Sequence, residues 1–293
     1  MKTISLVLGS GGARGLAHIG VIRYLESNGY DIKSISGSSA GALIGGVYAA
    51  GKLDEFEEWV RAITKLDMVR LLDISWSGGG FFRGDKFINT LIELVGTQNI
   101  EDLPIRYTAV ASDIRNEKEV WLNSGDLFEA IRASISLPLF FTPLDRNGAK
   151  LIDGGVLNPV PIAPTFGDET DLTIAVNLGG KFDPSLNPQK NKKRKIPKVD
   201  DSSPVRLKLA NYIKRMQLSR ANKGEVDMGM YDVANQAFES MQGSLANQKL
   251  AAYPPDHTIE IPRNACRTLE VDRADEMIEL GLSRATQYFD SIR

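Results

Sequence analysis

The chain has one cysteine, Cys266, and two histidines among its 293 residues. One cysteine cannot form an intrachain disulfide, and this set is too small for a usual Cys/His zinc site. Neither sign of charge dominates, with 35 Lys and Arg residues against 37 Asp and Glu, so no overall basic field indicates nucleic-acid binding. We therefore expect no nucleic-acid partner and no structural zinc.

Long hydrophobic runs are also lacking. No stretch approaches the roughly 18 consecutive apolar residues that would indicate a membrane-spanning helix. The apolar run at residues 4–8 meets glycines where a signal peptide would continue. Hydrophobic residues make up 42% of the chain and charged residues 25%, as in ordinary globular proteins. We expect a cytoplasmic protein, in peripheral contact with a membrane at most.

The first fifty residues repeat one pattern. Apolar segments at residues 4–8 and 32–35 are each followed by a glycine-rich turn and then by residues with helical spacing. Repeated strand, turn and helix favour an α/β fold with a mainly parallel central sheet sandwiched by helices. Further strands are predicted at residues 107–112, 119–122, 150–152, 172–176 and 257–261. We expect a single domain over residues 1–293.

Residues 181–204 interrupt this pattern with four prolines and a run of basic residues, which is typical of a flexible segment. The portion at residues 205–293 is predicted to be largely helical. This portion has a predicted apolar contact surface whose residues suit either core packing or contact between copies in a homo-oligomer: Met216, Leu218, Met228, Met230 and Met241. Six basic side chains form what we call the basic cluster: Lys190, Lys192, Lys193, Arg194, Lys195 and Lys198.

The most informative short motif is G-x-S-x-G, from Gly37 through Ser39 to Gly41, between a predicted strand and a predicted helix. That context is the one a nucleophile elbow requires, because small neighbours allow a tight turn that exposes the central serine. A Gly/Ser turn that only caps a helix is the alternative. Ser39 is thus a candidate nucleophile.

A glycine-rich loop follows the first strand. Its backbone N–H groups would face the same sheet edge as Ser39 and could bind an oxyanion. The glycines also give G-x-G-x-x-x-G, a loosened dinucleotide-binding fingerprint, although the second strand lacks the acidic residue that would contact a ribose. The candidate oxyanion residues are Gly11, Gly12, Ala13 and Arg14, and Gly15 completes the motif in support of them.

A serine nucleophile needs a base. His18 lies in an apolar helix and His257 in a late turn, and neither has an orienting partner nearby in the sequence, so structural roles are favoured for both. The alternative is Asp153, which follows a predicted strand and precedes Gly154 and Gly155. Taken alone, such a D-G-G sequence is typical of a plain turn.

Together, the glycine loop, G-x-S-x-G and D-G-G resemble the motifs of the patatin-like acyl hydrolases, in the order that this family has them. The segment at residues 132–141 resembles the family's A-S-x-x-x-P-x-x-F stretch, although Thr142 stands where many relatives have a proline. The likeness spans about residues 4–178.

The resemblance implies a three-layer patatin-like fold and a lipid acyl hydrolase that uses a Ser39/Asp153 dyad, with the loop at Gly11 to Arg14 as oxyanion hole. It implies a lipid substrate and no metal or cofactor. A carboxylate base with an ordinary pKa would be weak, so we predict that burial raises the pKa of Asp153. Two alternatives remain: a nucleotide-binding enzyme that uses the first glycine loop, and a non-catalytic membrane-associated regulatory protein. The basic cluster is either a solvated loop or a contact for anionic lipid headgroups.

Overall fold

A computed structural model describes residues 1–64, 67, 68, 71, 80–186 and 230–292. The chain divides into two compact units, one of Met1–Leu186 with Met241–Arg293 and one of Asn187–Ser240. The described strands all belong to the first unit. The basic cluster and the predicted helices before residue 230 lie outside the described residues.

The described strands are β1 (Lys2–Leu8), β2 (Tyr30–Ser38), β3 (Gly80–Phe82), β4 (Arg106–Asp113), β5 (Lys118–Leu122), β6 (Leu139–Phe141), β7 (Leu144–Arg146), β8 (Ala149–Asp153), β9 (Leu172–Gly180) and β10 (His257–Pro262). The described α-helices are α1 (Ala17–Ser27), α2 (Ala40–Ala49), α3 (Leu53–Ala62), α4 (Asp85–Val95), α5 (Leu127–Ser134), α6 (Met230–Ala252) and α7 (Ala274–Asp290). A 3₁₀ helix at Gly12–Leu16 precedes α1, and another at Gly154–Val156 follows β8.

The central sheet has the order β10-β9-β1-β2-β4-β8-β7, and β5 also pairs with β4. The strands from β10 to β4 are parallel, which confirms the predicted α/β fold with a mainly parallel sheet. Its inner strands are buried on both faces, as is usual for a parallel sheet covered by helices, and β1 is buried from Ile4 to Leu8. The carboxyl ends of these strands form one edge of the sheet.

Two strands, β5 and β8, run against this direction, because each is antiparallel to β4. β7 is antiparallel to β8 and so has the same direction as the parallel strands. β8 therefore begins near the carboxyl edge of the sheet and runs inward, and its last residue, Asp153, lies beside Ala111 of β4. The sequence pattern does not predict the short strands β3, β6 and β7, because their pairing joins segments without a clear alternation of apolar residues.

Helices α1 and α7 cross in close contact, which joins the two ends of the chain. A Cβ atom on Gly20 would lie 1.9 Å from the Ile278 carbonyl oxygen, and one on Gly281 would lie 1.9 Å from the Ala17 carbonyl oxygen. Tyr24 stacks on Phe289 with ring centroids 5.3 Å apart. Helix α7 is therefore part of the same core as β1, and the glycines make the close approach to α1 possible.

Candidate active site

Ser39 occupies the sharp turn that the G-x-S-x-G motif predicts. It lies between the last residue of β2 and the first of α2, with φ 56° and ψ −122°. A left-handed φ at a residue with a side chain is strained by about 1–3 kcal/mol, and such strain is common where a side chain must project into a site. Glycine is required at Gly41, because a Cβ atom there would lie 2.0 Å from the Leu8 carbonyl oxygen.

Asp153 contacts Ser39 directly. The Ser39 hydroxyl donates a hydrogen bond to Oδ2 of Asp153 at 2.5 Å, although 114 residues separate them in the chain. Oδ1 of Asp153 accepts the N–H of Gly155 at 2.8 Å. Asp153 is 1% exposed and Ser39 is 8% exposed, so both members of the pair are buried.

Burial sets the protonation of this carboxyl group. Because the charged form loses hydration, burial raises the pKa of Asp153 to about 7, against the hydrogen bonds from Ser39 and Gly155, which lower it. A group that exchanges a proton near neutral pH suits general base catalysis. The predicted rise in pKa is thus supported by the carboxylate's surroundings.

The glycine loop packs directly on the turn that carries Ser39. A Cβ atom on Gly15 would lie 2.3 Å from the Cβ of Ala40, and Gly12 has a left-handed φ of 58°. The N–H of Ala13, however, donates to the Thr268 carbonyl at 2.9 Å. Since that donor already has an acceptor, Gly11 and Gly12 are the stronger candidates for binding an oxyanion.

The Arg14 side chain has a structural task in this arrangement. It is 5% exposed, and its Nη1 donates to the carbonyl oxygens of Arg263 at 2.9 Å and Cys266 at 3.2 Å. The guanidinium thereby ties the glycine loop to the segment after β10. Any role of Arg14 in binding an oxyanion belongs to its backbone.

The two glycines after Asp153 also fit only without side chains. A Cβ atom on Gly154 would lie 2.0 Å from the Val110 carbonyl oxygen. One on Gly155 would lie 2.3 Å from Nε2 of Gln242 and 2.4 Å from the hydroxyl of Ser10. No motif in the sequence indicates Gln242 or Thr268, because both approach the site from elements far along the chain.

Both histidines have hydrogen-bond partners away from the Ser39–Asp153 pair. His18 is fully buried and bonds through Nε2 to the Gly9 carbonyl at 2.9 Å, and burial lowers its pKa to about 4. His257 begins β10 beside Ile174, below the sheet edge that carries Ser39, and its Nδ1 lies 3.1 Å from the Tyr288 hydroxyl. Both contacts agree with the structural roles favoured by the sequence.

The sequence model of the patatin-like phospholipases matches residues 6–166, more than half of the 293 residues. The chain belongs to the patatin-like phospholipase family. An uncharacterised NTE-family protein of Mycobacterium tuberculosis is 41% identical, with 98% of this chain and 91% of that protein covered. The family resemblance inferred from the motifs is confirmed.

More distant relatives carry functional names. A lysophospholipase of Yarrowia lipolytica is 32% identical over 61% of this chain, which corresponds to 13% of that much longer protein. Among solved structures, VipD of Legionella pneumophila has a TM-score of 0.60 at 17% identity and covers 99% of this chain and 67% of VipD. This structural likeness confirms the fold.

Within the described ranges, no helix is long and apolar enough to cross a membrane. Residues 216, 218 and 228 of the predicted apolar contact surface lie outside those ranges, and Met241 is exposed. Contact between copies of the chain stays a prediction.

Proposed function

We propose that the protein is a lipid acyl hydrolase of phospholipase A or lysophospholipase type. The observation that carries the proposal is the hydrogen bond of 2.5 Å from the strained Ser39 hydroxyl to the buried Asp153 carboxylate. Family membership and the lysophospholipase name of the yeast relative support a lipid ester as the substrate. The substrate enters as a lipid, and no cofactor or metal takes part in the proposed steps.

In the first half-reaction, Ser39 Oγ attacks the ester carbonyl carbon while its proton passes to Oδ2 of Asp153. The carbonyl oxygen becomes an oxyanion, which the backbone N–H groups of Gly11 and Gly12 stabilise. The tetrahedral intermediate then collapses, the ester C–O bond breaks, and the leaving alcohol takes the proton from Asp153. An acyl group remains on Ser39.

In the second half-reaction, water attacks the acyl-enzyme and gives a proton to Asp153. Collapse of this second intermediate returns the proton to Ser39 Oγ and releases the fatty acid. The same carboxylate serves in both half-reactions, since each of them requires a group that first accepts a proton and then returns it. A pKa of about 7 matches that demand better than the ordinary aspartate value of 3.8.

The experiment is fatty-acid release from phosphatidylcholine vesicles and from lysophosphatidylcholine, measured for wild type, Ser39→Ala and Asp153→Asn. Loss of the nucleophile should lower the rate by about 10⁴-fold or more. Matched controls are Ser36→Ala, a buried serine whose hydroxyl has no hydrogen-bond partner among the described residues, and Asp145→Asn, an exposed carboxylate in the β7–β8 hairpin. Release by Ser39→Ala at the wild-type rate would exclude this mechanism.

A further inference from the structure

The end of helix α5 contacts both members of the Ser39–Asp153 pair. The Ser39 N–H donates to the hydroxyl of Ser134 at 2.9 Å, and the Asp153 N–H donates to the Ser136 carbonyl at 2.9 Å. Ser134 and Ser136 are both fully buried. Ser134 and Ser136, which lie two positions apart, thus hold the backbones of two residues that the chain separates by more than a hundred positions.

The Ser134 hydroxyl uses its donor as well as its acceptor capacity. While it accepts the Ser39 N–H, it donates to the Val110 carbonyl of β4 at 2.6 Å. Val110 pairs with Ser38, the residue immediately before the turn. One hydroxyl group therefore links the strained turn to the strand that lies beside it.

The segment that carries Ser134 is itself fixed from its other side. The buried guanidinium of Arg132 donates to the Ser136 hydroxyl at 2.6 Å and to the Thr142 carbonyl at 3.0 Å. It also donates to the Arg83 carbonyl, and its Cζ lies 5.6 Å from the centroid of the Phe141 ring. These contacts hold the end of α5 in place, so Ser134 is a fixed point against which Ser39 is oriented.

We propose that Ser134 is a positioning residue that keeps Ser39 in its left-handed conformation and its hydroxyl on Asp153. Without the Ser134 hydroxyl, the N–H of Ser39 loses its acceptor and the turn can relax toward an unstrained φ. Relaxation rotates the Ser39 side chain away from the carboxylate. This inference rests on the proposed function, because it concerns the same nucleophile and base.

The pH profile separates positioning from a general loss of stability. The hydrogen bond from Ser39 lowers the pKa of Asp153. If Ser134→Ala weakens that bond, the pKa of Asp153 rises, and the acidic limb of the rate profile moves to higher pH. A variant that is merely less stable, but intact when assayed, keeps the wild-type limb.

The experiment compares three variants: Ser134→Ala, Ser134→Thr and the control Ser36→Ala. For each variant, the rate of fluorophosphonate labelling is measured, and kcat and KM for a short soluble ester are measured across pH. We expect Ser134→Ala to lower the labelling rate and kcat by about ten- to a hundredfold, because small displacements of a reacting group have effects of that size. KM should change little, the acidic limb should move upward, and Ser134→Thr, which keeps a hydroxyl, should recover much of the rate.

Thermal melts establish that each variant is folded when assayed. If Ser134→Ala does not fold, Ser134→Cys, with similar volume but a weak acceptor, takes its place with the same readouts. A folded variant with wild-type kcat and pH limb overturns the inference, and so does equal slowing in Ser36→Ala. If the wild type itself is not labelled, the proposed function fails instead.

Discussion

The burial of Asp153 predicts an unusual dependence of stability on pH. The folded protein holds the proton of this group up to a pKa of about 7, while the unfolded chain releases it near 3.8. The folded state therefore binds more protons between these values, and stability falls as pH rises through this window. The contribution is fully present below pH 3.8 and is lost once pH exceeds about 7.

The perturbation is Asp153→Asn, which removes the titrating group and keeps its size. Because the folded group is half ionised at pH 7, the shift in the proton equilibrium between pH 5 and pH 7 amounts to about 1.7 pH units, which at about 1.4 kcal/mol per unit is about 2 kcal/mol. Other groups contribute equally to both proteins, so the difference in unfolding free energy, variant minus wild type, should grow by about that amount.

Urea denaturation followed by circular dichroism at pH 5, 6, 7 and 8 measures this difference. Asp145→Asn serves as the control, since its carboxylate is exposed. Curves for wild type and Asp153→Asn that stay parallel over this range would show that Asp153 has an ordinary pKa in the folded state, and would refute the reasoning from burial.

Two further predictions come from the structure and one from the sequence. Because Asp153 must be deprotonated to act as the base, kcat/KM for a soluble ester should fall about tenfold per pH unit below its pKa of about 7. A value of kcat/KM that stays constant down to pH 5 would contradict a base with that pKa. Gly41→Ala should lower the free energy of unfolding, measured by urea denaturation, by at least about 1–3 kcal/mol, because the added Cβ would meet the Leu8 carbonyl oxygen. Gly167→Ala is the control. A Cβ atom at that position meets open space, so the free energy of unfolding should change by less than about 0.5 kcal/mol. Replacing all six residues of the basic cluster by Gln should weaken co-sedimentation with phosphatidylglycerol vesicles and leave hydrolysis of a soluble ester unchanged. Vesicle binding equal to that of the wild type would favour the alternative, a solvated loop.

The turn at Ser39 can be predicted because its requirements are local. Two glycines flank the serine at a fixed spacing, between a strand and a helix. In the structure, a Cβ atom on either glycine would collide with the neighbouring backbone. The parallel strands can likewise be predicted from short apolar runs. The sequence also predicts a helix over residues 126–136, and the observed helix begins after Asp126, which caps it by accepting the Glu129 N–H.

The pairing of Ser39 with Asp153 could not be derived from residue patterns alone, which left His18 and His257 as alternatives. The contact joins distant segments, and β8 reaches it antiparallel to its neighbour β4. Residue patterns offered Asp153 as a candidate base beside the histidines, and the resemblance to a family assigned that role to the aspartate alone.

Other features depend on tertiary packing that no local pattern encodes. The Ala13 N–H donates a hydrogen bond to the Thr268 carbonyl because the segment after β10 lies beside the glycine loop. Ser134 lies within the segment that resembles the family's A-S-x-x-x-P-x-x-F stretch, and its position on the apolar face of α5 is a sequence feature that indicates a buried serine. A buried serine in an amphipathic helix does not by itself indicate what its hydroxyl binds.

The most direct test of the central claim is labelling with a fluorophosphonate probe, read by intact mass and peptide mapping, on wild type, Ser39→Ala and Asp153→Asn. We predict one probe adduct on Ser39 in the wild type, none in Ser39→Ala, and greatly slowed labelling in Asp153→Asn. A wild type that stays unlabelled while a control serine hydrolase reacts, or an adduct that persists in Ser39→Ala, would contradict the Ser39–Asp153 mechanism.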